Sequence, residues 1–225
     1  MTALEARVLV LAKAPVAGQV KTRLCPPYTP PQAAALAAAA LTDTLRAVVR
    51  SSACERTLVL DGRREMVEAA GCDQLSQFDV VPQCEGGLDE RIAAAFGARP
   101  ASQLPQLLVG MDTPQLTAEL LDQAMAALLD YSVDAVIGPA EDGGYWAVGL
   151  RRPNAHAFVG VPMSRAWTYL AQRARFESLG LRVTTLPGLR DVDNVFDAHC
   201  VADLAPTTAF AAALREIDDV MAASC

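Results

Sequence analysis

At 225 residues, 52% of them hydrophobic, the chain can bury one sizeable core, which excludes a disordered protein. Its 26 acidic residues outnumber 19 basic ones, and a net charge of −7 argues against general nucleic-acid binding, which rests on neutralising phosphates. The longest apolar run, residues 33–41, is too short to span a bilayer, and the run 8–12 is too short for a signal peptide, so a soluble cytoplasmic protein without a membrane or nucleic-acid partner is expected.

Residues 7–12 (RVLVLA) predict a buried strand. A Pro-interrupted, irregular stretch follows to Pro27. Thr29 then opens a helix: a hydroxyl cap, prolines in the first turn and Gln32 three residues on make a capping-box pattern, and an Ala-rich segment carries it to about Arg50. A second strand is expected over 56–61, a helix over 64–70 and a third strand over 78–82. Gly86-Gly87 breaks the chain before an amphipathic helix over 88–97. Residues 106–110 predict a fourth strand, ending at Met111-Asp112-Thr113-Pro114, with a helix over 117–130 behind it. Strands over 134–138 and 145–150 flank a polar turn, Pro139 to Gly144. A helix over 165–179, a strand over 181–186 and a mostly helical segment over 203–222 complete the chain. Strands alternating with helices imply an α/β layer fold with a mainly parallel sheet; the adjacent strands around Asp142 break the alternation and imply a mixed one. Without repeats, long linkers or charge blocks, residues 1–225 read as a single domain. Six cysteines show no CxxC or CxH spacing, so free thiols are expected rather than a zinc site. His156 and His199 lack metal spacing and accompany no nucleophile elbow, so no catalytic triad is expected.

Only two of the 19 basic residues are lysines, Lys13 and Lys21, and both fall in the loop after the first strand. That loop also holds Gly18, Thr22 and Arg23. Ligands of open α/β sheets bind at the carboxyl edge, where three cations, a glycine and a hydroxyl can wrap phosphates. The loop is neither a Walker motif nor a GxGxxG fingerprint, and a solvated basic loop is the bland alternative. Asp112, directly after a buried strand, stands at the same edge. Beside a phosphate cradle it suits Mg²⁺, which takes carboxylate oxygens plus substrate phosphates; a turn-forming Asp is the structural alternative. In Asp191-Val192-Asp193-Asn194, alternation puts both aspartates on one side, and one of them can complete a metal site with Asp112; helix capping competes as an explanation. In Glu141-Asp142-Gly143-Gly144-Tyr145-Trp146 the glycines permit close approach to a ligand and equally favour a tight turn. Gly86-Gly87 before a helix could face a base or second substrate, or simply cap.

Taken in order, Lys13-Ala-Pro-Val-x-Gly18-x-Val-Lys21-Thr-Arg23-Leu, Gly110-x-Asp112-Thr-Pro, Gly138-Pro-x-x-Asp142-Gly-Gly-Tyr-Trp and Asp191-Val-Asp193 resemble the radical-SAM/selenodomain-associated transferase 1 family. These are GT-A-fold, nucleotide-diphospho-sugar-transferase-like proteins, and the likeness runs from about Val8 to Leu204. More distantly the chain is similar to the guanylyltransferases that make molybdopterin-guanine dinucleotide and activate 2-phospholactate. The resemblance implies a GT-A-like (Rossmann-like) α/β domain. It assigns Lys13, Lys21 and Arg23, with Ala14, Pro15 and Gly18 of the same loop, to nucleotide phosphates, and Asp112 and Asp193 to Mg²⁺ (or Mn²⁺). Asn194 stands where the family usually has Thr.

Two reactions fit these residues. In nucleotidyl transfer, an NTP and a phosphorylated acceptor give an NDP-linked product and pyrophosphate. Lys21 and Arg23 would then stabilise the leaving group, while Asp142, Gly143, Gly144 and Tyr145 position the small-molecule acceptor. In glycosyl transfer from an NDP-sugar, Asp142 or Glu141 becomes the base for an acceptor hydroxyl. A non-catalytic nucleotide-binding module is the third reading, and retention of the carboxylates counts against it.

Overall fold

A computed structural model of the chain describes residues 3–97 and 103–223. Inside its sheet runs strand β1 (Leu4–Lys13), in which Val8, Leu9 and Val10 are fully buried because helices cover both faces. Around it lie β2 (Ala53–Asp61), β3 (Asp79–Pro82), β4 (Gln106–Gly110), β5 (Ala135–Pro139), β6 (Tyr145–Leu150) and β7 (Val183–Thr185), in the order β3-β2-β1-β4-β6-β5-β7. Strand β6 runs antiparallel to β4 and β5, and the other pairings are parallel. The mixed, mainly parallel sheet expected from the strand order is thus present. A tight turn makes the exception: the amide of Ala140 donates to the carbonyl of Gly144 at 3.0 Å. The chain steps outward from β1 to β2 and β3, then returns to β4 on the other side of β1. The carboxyl ends of β1 and β4 therefore open a crevice at a topological switch point.

Alternate residues of the strands feed different helices. On one face Val8, Val10, Leu107 and Val109 pack with Leu41, Leu45, Leu121 and Met125 of α1 (Pro30–Arg50) and α4 (Ala118–Leu129). On the other, Leu9, Leu108 and Val148 meet Ile92 and Phe96 of α3 (Leu88–Gly97) and Phe176 of the helix Thr168–Ser178. Phe158 stacks on Phe96 there, with centroids 4.6 Å apart. A third cluster joins α1 to the two helices that close the chain, Val195–Leu204 and Ala209–Ala222. With the short helix Arg64–Ala69 as α2, these three are α5, α6 and α7. The capping box of α1 forms as read: the Thr29 amide donates to Gln32 Oε1 at 2.8 Å, and the Gln32 amide to Thr29 Oγ1 at 3.5 Å.

Strands β1 and β2 each begin three residues earlier than expected, and three further boundaries move. Helix α5 starts at Thr168 rather than at 165, because residues 163–167 form a loop against the β5–β6 turn. The strand expected over 181–186 shortens to Val183–Thr185. The segment 203–222 is two helices parted at Pro206, and α6 begins well upstream at Val195. Asn194 caps α6 in a capping box with Asp197, so the Asp191–Asp193 segment runs straight into a helix. Cys25, Cys54, Cys72, Cys84 and Cys200 are free thiols, and no helix among the described residues is long and apolar enough to cross a membrane.

Candidate active site

The loop after β1 is tied at several points. The Ala14 amide donates to the Asp61 carbonyl at 2.8 Å, and Ala14 packs so close to Gly62 that a Cβ there would come within 2.6 Å of its methyl. Gly62 has φ +123, so only glycine gives both the conformation and the room. Beyond Pro15, a turn closes from Gln19 to Val16, with Gly18 at φ +77, and Val20 is buried in the core. Lys21 itself sits in the left-handed region, φ 48, uncommon for a non-glycine residue. There its ammonium donates to the Val192 carbonyl and pairs with Asp112. Arg23, two residues on, reaches Asp193 at 2.6 Å. Lys13 remains exposed at the strand end. Two of the three cations expected to meet phosphates are thus held by the two carboxylates expected to meet metal.

Those carboxylates are brought together from distant parts of the chain. Residues 189–193 run beside the end of β5, with Leu189 donating to the Pro139 carbonyl at 3.1 Å, and then cross to β4, where the Val192 amide donates to the Asp112 carbonyl at 2.9 Å. Val192 is fully buried, so its neighbours Asp191 and Asp193 point to the other side, as alternation predicts. Asp142, in the β5–β6 turn, completes a cluster: one carboxylate oxygen from each of Asp142, Asp191 and Asp193 lies within 4.8 Å of the others. Burial, reinforced by the charges of Asp142 and then Asp193, pushes the Asp191 carboxyl up to about 6. Three carboxylate oxygens held this close, one of them on the half-buried Asp191, fit a hard divalent cation, which takes oxygen ligands of this kind. Asp112 stands beside this trio, its side chain turned to Lys21. Arg190 locks the arrangement by pairing with Glu141 of the turn and, at 2.8 Å, with Asp197 of α6.

Lys13, Arg23, Asp112, Asp142, Asp191 and Asp193 line a cleft of about 660 Å³ at the carboxyl edge, and an adjoining chamber of about 280 Å³ is lined by Lys21 and Thr22 as well. Of its two remaining walls, one includes Leu88 and Arg91 of the helix start at 86–91 read from the sequence, and the other, on the β6 side, was not singled out there. On the β2–β3 side, Arg91 bonds Asp61 at 3.3 Å and the Gly86 carbonyl at 3.0 Å, and Gln83 donates to the Ala12 carbonyl at 2.7 Å. Asp61 carried the same signal as Asp112, a carboxylate at the end of a buried strand. On the β6 side, Met163, Ser164, Arg165 and Thr168 form the wall. Gly143, at φ +89, has its Cα against the Ala166 carbonyl, where any side chain would collide, and its own carbonyl accepts from the Tyr169 amide at 2.9 Å. Gly143 therefore seats this loop. Gly144 and Tyr145 line the cleft itself, the Tyr145 hydroxyl lying 3.7 Å from the Met163 sulfur, with burial and then the Asp89 charge raising its proton affinity. The Gly86-Gly87 helix start is capped internally: the Gly87 amide donates to Glu90 at 2.8 Å.

This strand order, with a basic loop and a carboxylate cluster at one crevice, defines a nucleotide-diphospho-sugar-transferase-like α/β protein. A provisional nucleotide-diphospho-sugar transferase from Desulfovibrio desulfuricans G20 is similar over 97% of this chain and 96% of its own, with 28% identity and a TM-score of 0.85. Two further likenesses concern the fold alone. Rv0371c of Mycobacterium tuberculosis H37Rv, solved in complex with manganese, shares 18% identity over 90% of this chain and 100% of its own, at a TM-score of 0.56. A nucleotidyl transferase from Methanothermobacter shares 16% identity over 88% and 96%, also at 0.56. The chain belongs to the DUF2064 family, described as an uncharacterized protein conserved in bacteria, whose model matches residues 44–165. No curated protein matches it.

Proposed function

We propose that the chain is a cytoplasmic, single-domain transferase of the radical-SAM/selenodomain-associated type, dependent on Mg²⁺ or Mn²⁺, that moves a nucleotidyl group from an NTP to a phosphorylated acceptor and releases pyrophosphate. One observation carries this reading: the basic loop and the carboxylate cluster meet at one cleft, at the switch point of the sheet. Lys13 binds the donor phosphates, and Ala14, Pro15 and Gly18 of the same loop border the nucleotide. Lys21 and Arg23 take the charge that collects on departing pyrophosphate. Asp193 and Asp191, with Asp142 or Asp112, hold the metal, which supplies charge neutralisation at the transferred phosphorus when bound. Because Lys21 and Arg23 are paired with Asp112 and Asp193, phosphates draw these cations away and release the carboxylates. Tyr145 and Gly144 border the acceptor, with Gly143 holding their turn in place. An acceptor phosphate is already an anionic nucleophile, so the reaction needs neither an activated Ser or Cys nor a covalent enzyme intermediate.

The likeness to a nucleotide-diphospho-sugar transferase favours a second reading, glycosyl transfer from an NDP-sugar. Asp142, exposed in the turn, is then the base that takes the acceptor hydroxyl proton. A screen of the four NTPs with Mg²⁺ or Mn²⁺ and phosphate-bearing acceptors decides between the two. Pyrophosphate release dependent on acceptor supports nucleotidyl transfer. Turnover of an NDP-sugar to free NDP, with no pyrophosphate from any NTP, moves the assignment to glycosyl transfer.

A further inference from the structure

Five basic side chains reach the cleft and its side chamber: Lys13, Lys21, Arg23, Arg91 and Arg165. Three are engaged, Lys21 by Asp112, Arg23 by Asp193, and Arg91 by Asp61 and the Gly86 carbonyl. Among the described residues the side chains of Lys13 and Arg165 have no partner. Arg165 is nevertheless held on a fixed support. Its amide donates to Thr168 Oγ1 at 3.0 Å, and its carbonyl accepts from the Thr168 amide at 3.0 Å. Ser164 before it adopts φ +55, a conformation non-glycine residues keep only where the surroundings enforce it. Ala166 after it is pressed on Gly143. A guanidinium with its planar fork of donors unspent, on a strained and anchored loop facing a cleft, is arranged for an anion.

We propose that Arg165 anchors a second anion subsite, which takes the phosphate of a phosphate-monoester acceptor; this rests on the nucleotidyl-transfer reading. Lys13 ends β1 while the Arg165 loop stacks on the turn leading into β6, and two strand spacings separate those strands, about 10 Å. The two cations therefore approach the cleft from different sides. The carboxylate cluster joins the two sides, because Asp193 touches Arg23 of the donor loop and Asp142 precedes the glycine that seats the Arg165 loop. An acceptor oxygen then bonds the α-phosphorus as the bond from that phosphorus to its bridging oxygen breaks, and the electron pair leaves with pyrophosphate. The acceptor oxygen is anionic from the start, so no proton needs to be removed, and a cation beside it serves better than a base.

Calorimetric titration of inorganic phosphate into protein saturated with Mg²⁺ and an α,β-methylene NTP tests the subsite. Phosphate should bind the loaded wild-type protein, about tenfold more weakly to Arg165→Gln and at an intermediate level to Arg165→Lys, while nucleotide affinity is unchanged in both. Lys13→Gln should do the reverse, weakening nucleotide binding. Phosphate binding indifferent to Arg165→Gln, acetate binding as tightly as phosphate, or loss of nucleotide affinity in Arg165→Gln overturns the proposal. If no nucleotide binds the wild-type protein, the nucleotidyl-transfer reading falls alone. Phosphate titrated into the unloaded protein then decides the subsite: dependence on Arg165 upholds it and independence overturns it.

Discussion

Arg23 offers the most telling single substitution, because its partner Asp193 is wanted by a metal and its own charge by a nucleotide. Arg23→Gln should therefore move two affinities in opposite directions. With the competing cation removed, Mn²⁺ binds the nucleotide-free protein more tightly, as read by the loss of free Mn²⁺ signal in electron paramagnetic resonance. Nucleotide, deprived of a phosphate contact, binds more weakly. A variant in which both affinities fall would mean that Arg23 organises the site rather than competing for it. Lys21→Ala carries a different expectation. The side chain is mostly buried between Asp112 and the Val192 carbonyl, yet it tethers only the loop, so circular dichroism should match wild type. Turnover should drop by about 10²–10³-fold, the usual cost of one preorganised charge contact.

The elements were largely legible because their signals are local. Strand β4, helix α3 and strand β6 fall where the apolar runs and their Gly and Pro boundaries put them. The capping box at Thr29 needed only residues three apart. What escaped was helix α6, short and weakly amphipathic, whose start was masked because Asp191-Val192-Asp193-Asn194 reads equally well as an extended segment. The start of α5 escaped too, since nothing local reveals that Ala166 must pack on Gly143. That contact makes Gly143→Ala a test at this scale. A methyl group cannot fit against the Ala166 carbonyl, and φ +89 strains any alanine. The variant should lose transfer while still binding nucleotide. A second test concerns the base of β5. Asp134 joins it to β6 and β7, pairing with Arg151 and, at 2.7 Å, with Arg182, whose hydrogen bonds hold its carboxyl well below the usual range. A folded-state value below the unfolded one of about 3.9 gives stability that is present above that pH and lost as pH falls through the acid range. Asp134→Asn should lower Tm by about 3 °C at neutral pH, and the gap to wild type should begin to narrow only as the pH falls below about 4 in thermal melts.

At the scale of the whole molecule the sequence showed which residues carry charge at the sheet edge but not how they pair. Lys21 and Val192 lie 171 positions apart, and only the crossing of residues 189–193 over the sheet edge joins them. The same crossing brings Asp142 to Asp191 and Asp193, whereas motif order alone paired Asp193 with Asp112. Arg165 went unnoticed because its importance lies in lacking a partner, which no spacing rule reports. The resulting cleft stores its charges as internal pairs: Lys21 with Asp112, Arg23 with Asp193, Arg91 with Asp61. A metal arriving alone must compete with a guanidinium for Asp193, and phosphates arriving alone must pull Lys21 and Arg23 from carboxylates left facing one another. Arriving together, the two ligands exchange the internal pairs for new ones and leave no charge uncompensated. Metal and nucleotide should therefore bind with positive cooperativity. Linkage requires the factor by which saturating nucleotide tightens Mn²⁺ to equal the factor by which saturating Mn²⁺ tightens nucleotide. Calorimetric titrations in both orders measure it directly. Arg23→Gln, which frees Asp193 beforehand, should shrink the shared factor in both directions. Independent binding of the two ligands to the wild-type protein would show that the internal pairs do not oppose either one.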